Sequence, residues 1–122
     1  MLFRSIQFNA KDARAKSRYA FIAKEVLHLA GETEDELVEA LVQEIRDLND
    51  KLDIPQGIKN YGAKGVKADE SIINYDEFEA KKHDVAANAI LDACTGSNPR
   101  QPSQEEMEQL LECVYTDTPV TF

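Results

Sequence analysis

The sequence predicts an all-α chain of about four main helices. Apolar residues recur at the i, i+3, i+4, i+7 spacing of a helix face in separate stretches. Two of those stretches open on capping boxes, and no segment alternates apolar and polar residues as a strand would.

The first periodic stretch runs from Lys11 to Ala30, with Tyr19, Ile22, Ala23, Val26, Leu27 and Ala30 on one face. Gly31, tolerant of positive φ, is expected to end it. Thr33-Glu34-Asp35-Glu36 is a capping box whose acidic first turn suits the positive end of a helix dipole. Leu37, Leu41, Ile45, Leu48 and Leu52 form the stripe that follows. Pro55 stops this second helix, and a short helical turn is expected over Gln56 to Tyr61.

From Gly62 to Tyr75 glycine and charge dominate, which reads as a loop. Helical spacing returns with Phe78, Val85, Ala86, Ala89, Ile90 and Ala93, capped by Asn74 or Asp76. The alanines predict close packing against a neighbouring helix. Cys94 to Pro102 is a punctuated loop. Ser103-Gln104-Glu105-Glu106 is the second capping box, and Met107, Leu110, Leu111 and Val114 are the apolar face of the last helix. Thr116 to Phe122 is a tail without helical pattern.

The 122 residues suit one domain, with 43% hydrophobic and 30% charged residues. Fourteen basic against 23 acidic residues give a net charge of −9, which argues against nucleic acid or an anionic membrane surface as partner. No apolar run is long enough to span a membrane and no signal peptide is visible, so a cytoplasmic protein is expected. Cys94 and Cys113 have no metal-ligand spacing and are expected as reduced thiols.

Little in the chain points to catalysis by its own side chains. His28 and His83 have no second ligand at helical spacing. Glu105, Glu106 and Glu108 cluster where helix electrostatics alone would put them. Gly62-Ala63-Lys64-Gly65 has the form of some RNA-gripping loops, but the strands of those modules and a basic charge are lacking. Neither a dinucleotide fingerprint nor a Walker sequence is present.

The run Cys94-Thr95-Gly96-Ser97-Asn98-Pro99-Arg100 is more distinctive. It resembles the C-terminal signature of the iron-containing alcohol dehydrogenases. Phe8-Asn9-Ala10, Arg18-Tyr19-Ala20-Phe21-Ile22-Ala23, Leu52-Asp53-Ile54-Pro55 and Cys113-Val114-Tyr115 resemble further family segments in the same order. Asp53 stands where the family usually has Gly. The resemblance covers residues 6–115. Residues 1–5 do not resemble the family and read as an N-terminal stub, and residues 116–122 as a tail.

The resemblance implies part of the C-terminal helical domain of the dehydroquinate synthase-like fold. It implies an enzyme that passes hydride between an alcohol or aldehyde and NAD(P), with one divalent metal, iron or zinc. The family's metal ligands and nucleotide-binding domain lie upstream of the matched region, so this chain alone is expected to be inactive and to bind neither cofactor. Cys94 is implied to face the substrate pocket, and Thr95, Asn98 and Arg100 to hold its loop. The expected partners are the upstream helices and nucleotide-binding domain of the same enzyme, with self-association through uncovered apolar faces. The alternative is a stand-alone helical interaction module derived from such an enzyme.

Overall fold

A computed structural model describes residues 2–122, and the regular elements among them are helices. Five α-helices follow in order: α1 (Leu2–Asn9), α2 (Ala13–Phe21), α3 (Glu34–Lys51), α4 (Tyr75–Leu91) and α5 (Gln104–Thr116). Single 3-10 turns at Ile58–Asn60, Ala63–Gly65 and Thr95–Ser97 punctuate the connections. Among the described residues the one extended pairing is an isolated antiparallel bridge between Tyr61 and Lys67.

Of the residues expected to form an N-terminal stub, 2–5 lie in helix α1. Phe3 and Arg4 are fully buried, and Ile6, Phe8, Asn9 and Ala10 are buried with them. Phe3, Ile6 and Ala10 join Ala20, Ala23, Leu37, Val38, Leu41 and Val42 in the core. The helix is only 8 residues long and buries Arg4 and Asn9 beside its apolar side chains, so its short apolar pattern is easily passed over in the sequence.

Helix α2 starts on Asp12, whose carboxylate accepts from the Ala15 amide. The expected end at Gly31 is also corrected. After Phe21 the chain takes a π-helical turn, Ile22–Val26, and His28 rather than Gly31 adopts the positive φ, 55°. The widened turn rotates the following residues around the axis. Ala23 is therefore fully buried, while Ile22, Val26 and Leu27, expected on the core face, are exposed. Gly31 matters for space instead: a Cβ there would sit 3.0 Å from the Leu37 side chain.

The Thr33 capping box forms in both directions and starts α3. The stripe of α3 is buried at Leu37, Val38, Leu41 and Val42, and Ile45 packs partly against the core. Leu48 and Leu52, predicted to be buried, are exposed, because α3 runs past the helices that cover its first half. Asn74 is the cap of α4, accepting from the Glu77 amide. Ala86 is completely buried where α4 packs on α5. Phe78, Tyr115 and Tyr75 form an aromatic cluster at that contact, with Phe78 stacked on Tyr115 at 4.4 Å between ring centres.

The tail folds back rather than trailing away. Arg4 donates to the carbonyls of Gln56 (2.7 Å) and Thr118 (3.1 Å) and pairs with the Asp117 carboxylate. Asp117 also receives Arg46 (3.1 Å), whose guanidinium lies over the Phe3 ring. Burial pulls Arg4 below its ordinary pKa and the Asp117 carboxylate pushes it back up; an arginine stays charged through such shifts. Buried Val120 extends the tail's contact, its amide donating to Gln7.

Candidate functional site

The connection between α4 and α5 starts at Asp92, whose carboxylate accepts from the Cys94 amide at 2.7 Å. The Thr95 hydroxyl donates to the Ala89 carbonyl (2.6 Å), tying the loop back to the last turn of α4. Ser97 donates to the Cys94 carbonyl (2.7 Å), and Gln101 donates to the carbonyls of Gly96 and Asn98.

Asn98 and Arg100 join this loop to α1. Asn98 donates to the side-chain carbonyl of Asn9 at 2.7 Å and accepts from the Asn9 amide at 2.9 Å. Its remaining N–H goes to the Arg100 carbonyl (2.6 Å), and Asn9 reaches the Tyr19 hydroxyl at 3.4 Å. Arg100 lies over the Phe8 ring, 3.9 Å from its centre. It donates to the carbonyls of Phe8 (3.2 Å) and Phe122 (2.9 Å) and pairs with Glu106 at 2.5 Å. The other carboxylate oxygen of Glu106 accepts from the Ser103 amide at the start of α5. One glutamate thus serves both the helix cap and the loop, a double role not visible in the sequence.

Between this loop, α1 and α5 lies a cavity of about 310 Å³. Cys94 and Thr95 stand on its loop side, Phe8 and Asn9 on its α1 side, and Met107, Leu110, Leu111 and Val114 on its α5 side. Cys94 is exposed, with a free thiol. The polar groups of Arg4, Asn9, Asn98 and Thr95 in these walls are engaged within the protein, and the rest of the lining is largely apolar. Such a surface takes up apolar groups rather than charge.

Cys113 lies on α5, its thiol 3.6 Å from the Pro119 carbonyl and outside the cavity. His28 is at the end of the π turn. His83 lies on the outer face of α4, where Gln104 (2.8 Å) and then the His83 ring (2.7 Å) contact Glu108 and hold that carboxyl below its ordinary pKa. Among the described residues no three His, Cys, Asp or Glu side chains come together as metal ligands. The donor set here does not fit a catalytic metal.

The chain matches the profile of the Fe-containing alcohol dehydrogenase family, C-terminal, over residues 1–115. It is 44% identical over 117 residues to the NADPH-dependent butanol dehydrogenase of Clostridium saccharobutylicum, covering 96% of this chain and 27% of that protein. It is 30% identical over 118 residues to the aldehyde-alcohol dehydrogenase of Clostridium acetobutylicum, covering 86% of this chain and 12% of the relative. It is also 30% identical over 112 residues to the alcohol dehydrogenase of Thermococcus barophilus, covering 92% and 25%. The chain therefore spans about a quarter or less of the length of these relatives.

Proposed function

Since this chain belongs to the Fe-containing alcohol dehydrogenase family, we propose that it contributes one wall of the substrate pocket in an NAD(P)-dependent alcohol dehydrogenase. The reaction is transfer of hydride between an alcohol or aldehyde carbon and the nicotinamide. The observation that carries this reading is the place of Cys94. Cys94 lines a largely apolar cavity, on a loop tied to α1 through Asn98 and Arg100.

The role of this chain is positional. Asn98, Arg100 and Thr95 hold the loop, and Cys94 shapes the space open to the substrate. No step is assigned to the Cys94 sulfur as a nucleophile. The metal and nicotinamide that the family implies would be held by residues other than these, so the chain by itself is proposed to be inactive. Exposed apolar residues such as Phe21, Val26 and Leu52 support packing against further parts of the same enzyme. The two free thiols support a reducing, cytoplasmic setting.

The test is substrate preference in an active dehydrogenase containing this chain. Cys94→Leu should change kcat/KM ratios among alcohols of different length, since one methylene in an apolar pocket is worth about 1–3 kcal/mol. Cys113→Leu should leave those ratios alone. Equal effects from both substitutions, or none from either, would remove Cys94 from the pocket.

A further inference from the structure

The tail that follows α5 runs along α1 and reaches the loop of Cys94. It lies beyond residues 1–115, the stretch that the family profile matches. Asp117, at a φ of 58°, turns the chain out of α5, and the Thr118 amide donates to the Cys113 carbonyl at 3.1 Å. From there the tail crosses Arg4, Gln7 and Phe8, which stand at i, i+3 and i+4 on one face of α1.

Three contacts fix its register. Arg4, only 1% exposed, holds the Asp117 carboxylate and the Thr118 carbonyl. The Val120 amide donates to the Gln7 side chain at 3.2 Å. The Phe122 ring meets the Phe8 ring edge-on, 6.2 Å between centres. Val120 is buried and Phe122 half-buried, while Pro119 and Thr121 are exposed, the alternation of an extended segment. A slip of one residue would turn Val120 outward. A buried ion pair such as Arg4 with Asp117 adds little net stability against its desolvation, so what it contributes here is a single geometry.

This register delivers the Phe122 backbone oxygen to the Arg100 guanidinium at 2.9 Å. The same guanidinium lies over the Phe8 ring, donates to the Phe8 carbonyl and pairs with Glu106. The Arg100 carbonyl in turn accepts from Asn98. Tail, α1, α5 and the Cys94 loop therefore meet at one side chain.

We infer that residues 116–122 are a strap that positions the Cys94 loop, with Arg4 setting its register and Val120 and Phe122 as positioning residues. The hold on the loop stands on these contacts. Its bearing on substrate rests on the reading of Cys94 as part of the pocket.

The test follows hydrogen exchange by NMR in the full, isotopically labelled 122-residue chain. Releasing the strap should free the loop without loosening the core. Phe122→Ala should speed exchange of the Asn98 side-chain amide, and of the Ser97 and Asn98 backbone amides, about tenfold. Val120→Asp should do at least as much. The amides of Leu41 and Val42 in α3 should stay within about twofold of the parent chain. Phe122→Tyr and Val120→Ile, which keep the contacts, should leave exchange slow.

Loop exchange unchanged in both disruptive variants overturns the inference. So does a rise in Phe122→Ala that Leu41 and Val42 share equally, since that is general unfolding and not release of a strap. Should Val120→Asp fail to fold, Phe122→Ala and Phe122→Tyr decide alone. The alcohol preference of Cys94→Leu in an active dehydrogenase is read separately. Unchanged loop exchange with a shifted preference removes the strap and leaves Cys94 in the pocket. Faster loop exchange with an unshifted preference keeps the strap and removes Cys94 from the pocket.

Discussion

The side chains of Asn9 and Asn98, 89 positions apart, exchange hydrogen bonds in both directions, at 2.7 and 2.9 Å. The pair joins the end of α1 to the loop that carries Cys94. Asn9 is buried, so truncating either partner leaves a polar amide without its bonds. Asn98→Ala and Asn9→Ala are each expected to cost about 1–3 kcal/mol in urea denaturation. The double substitution should cost less than the sum of the two, because each single change already breaks the shared bonds. Strict additivity would mean that the two amides act independently.

Asp53, at the position where the family resemblance leads one to expect glycine, has a φ of 57°. A side chain at a left-handed position is strained by the contact of Cβ with its own backbone, though less for Asp than for most residues. Asp53→Gly should therefore raise stability by about 0.5–1 kcal/mol, the relief of strain exceeding the added freedom of the unfolded chain. Asp53→Val should lower it by more than 1 kcal/mol or so. Thermal melts of the two variants decide it, and a destabilised glycine variant would show that the Asp side chain makes the turn by other means.

Much of this architecture is legible before any coordinates. The starts of α3 and α5 are written in Thr33 to Glu36 and Ser103 to Glu106, because a capping box is a local exchange needing no distant partner. Asn74 follows the same logic for α4. What escapes depends on long-range packing. Helix α1 is only 8 residues long, and its buried Arg4 and Asn9 interrupt the apolar pattern that would announce it. The exposure of Leu48 and Leu52 reflects where neighbouring helices end, which the stripe itself cannot show. The π turn at Ile22–Val26 leaves no local mark either.

The site divides in the same way. The Cys94 to Arg100 run stands out as a pattern, and its turn chemistry follows from Gly96 and Pro99. That Asn98 reaches Asn9, or that Arg100 stacks on Phe8, comes only from the tertiary arrangement. Glu106 was visible as a cap but not as the partner of Arg100.

Acid should loosen the molecule at identifiable carboxylates. Glu36 accepts from the backbone N–H groups of Glu32 (2.8 Å) and Thr33 (3.1 Å), which hold its pKa below the ordinary 4.5. Glu108 is lowered in the same sense by Gln104 and then His83. A carboxyl depressed on folding contributes stability that is present above its ordinary pKa and is lost as pH falls through the folded value. Stability should thus hold at and above pH 5 or so and decline below about 4.5. Glu36→Gln keeps an acceptor for the cap but cannot titrate. Its unfolding free energy should fall less steeply with acid than that of the parent chain. Parallel acid limbs for the two proteins would count against Glu36.

The last expectation concerns the surface left open. Phe21 and Val26, at the end of α2 and in the π turn, are 62% and 59% exposed, and Leu91 at the end of α4 is 82% exposed. Leu48, Leu52 and Ile54 form a second open stretch at the end of α3. Monomeric proteins seldom leave contiguous apolar patches beyond a few hundred Å², so burial of these residues favours association between copies. The net charge of −9 works against it, because approaching copies repel. Salt decides between the two effects: at about 0.1 M the Debye length is only ~10 Å, and at 1 M ~3 Å. The isolated chain should therefore be mostly monomeric at low ionic strength and associate as salt and protein concentration rise. Light scattering over a dilution series at two salt concentrations measures this. Phe21→Lys with Val26→Lys should suppress the association, by removing apolar area while leaving the buried Ala23 contact intact. A chain that stays monodisperse and melts cooperatively at every concentration and salt would show that five helices close a sufficient core by themselves. That outcome would favour a stand-alone module over a part that needs the rest of an enzyme to cover it.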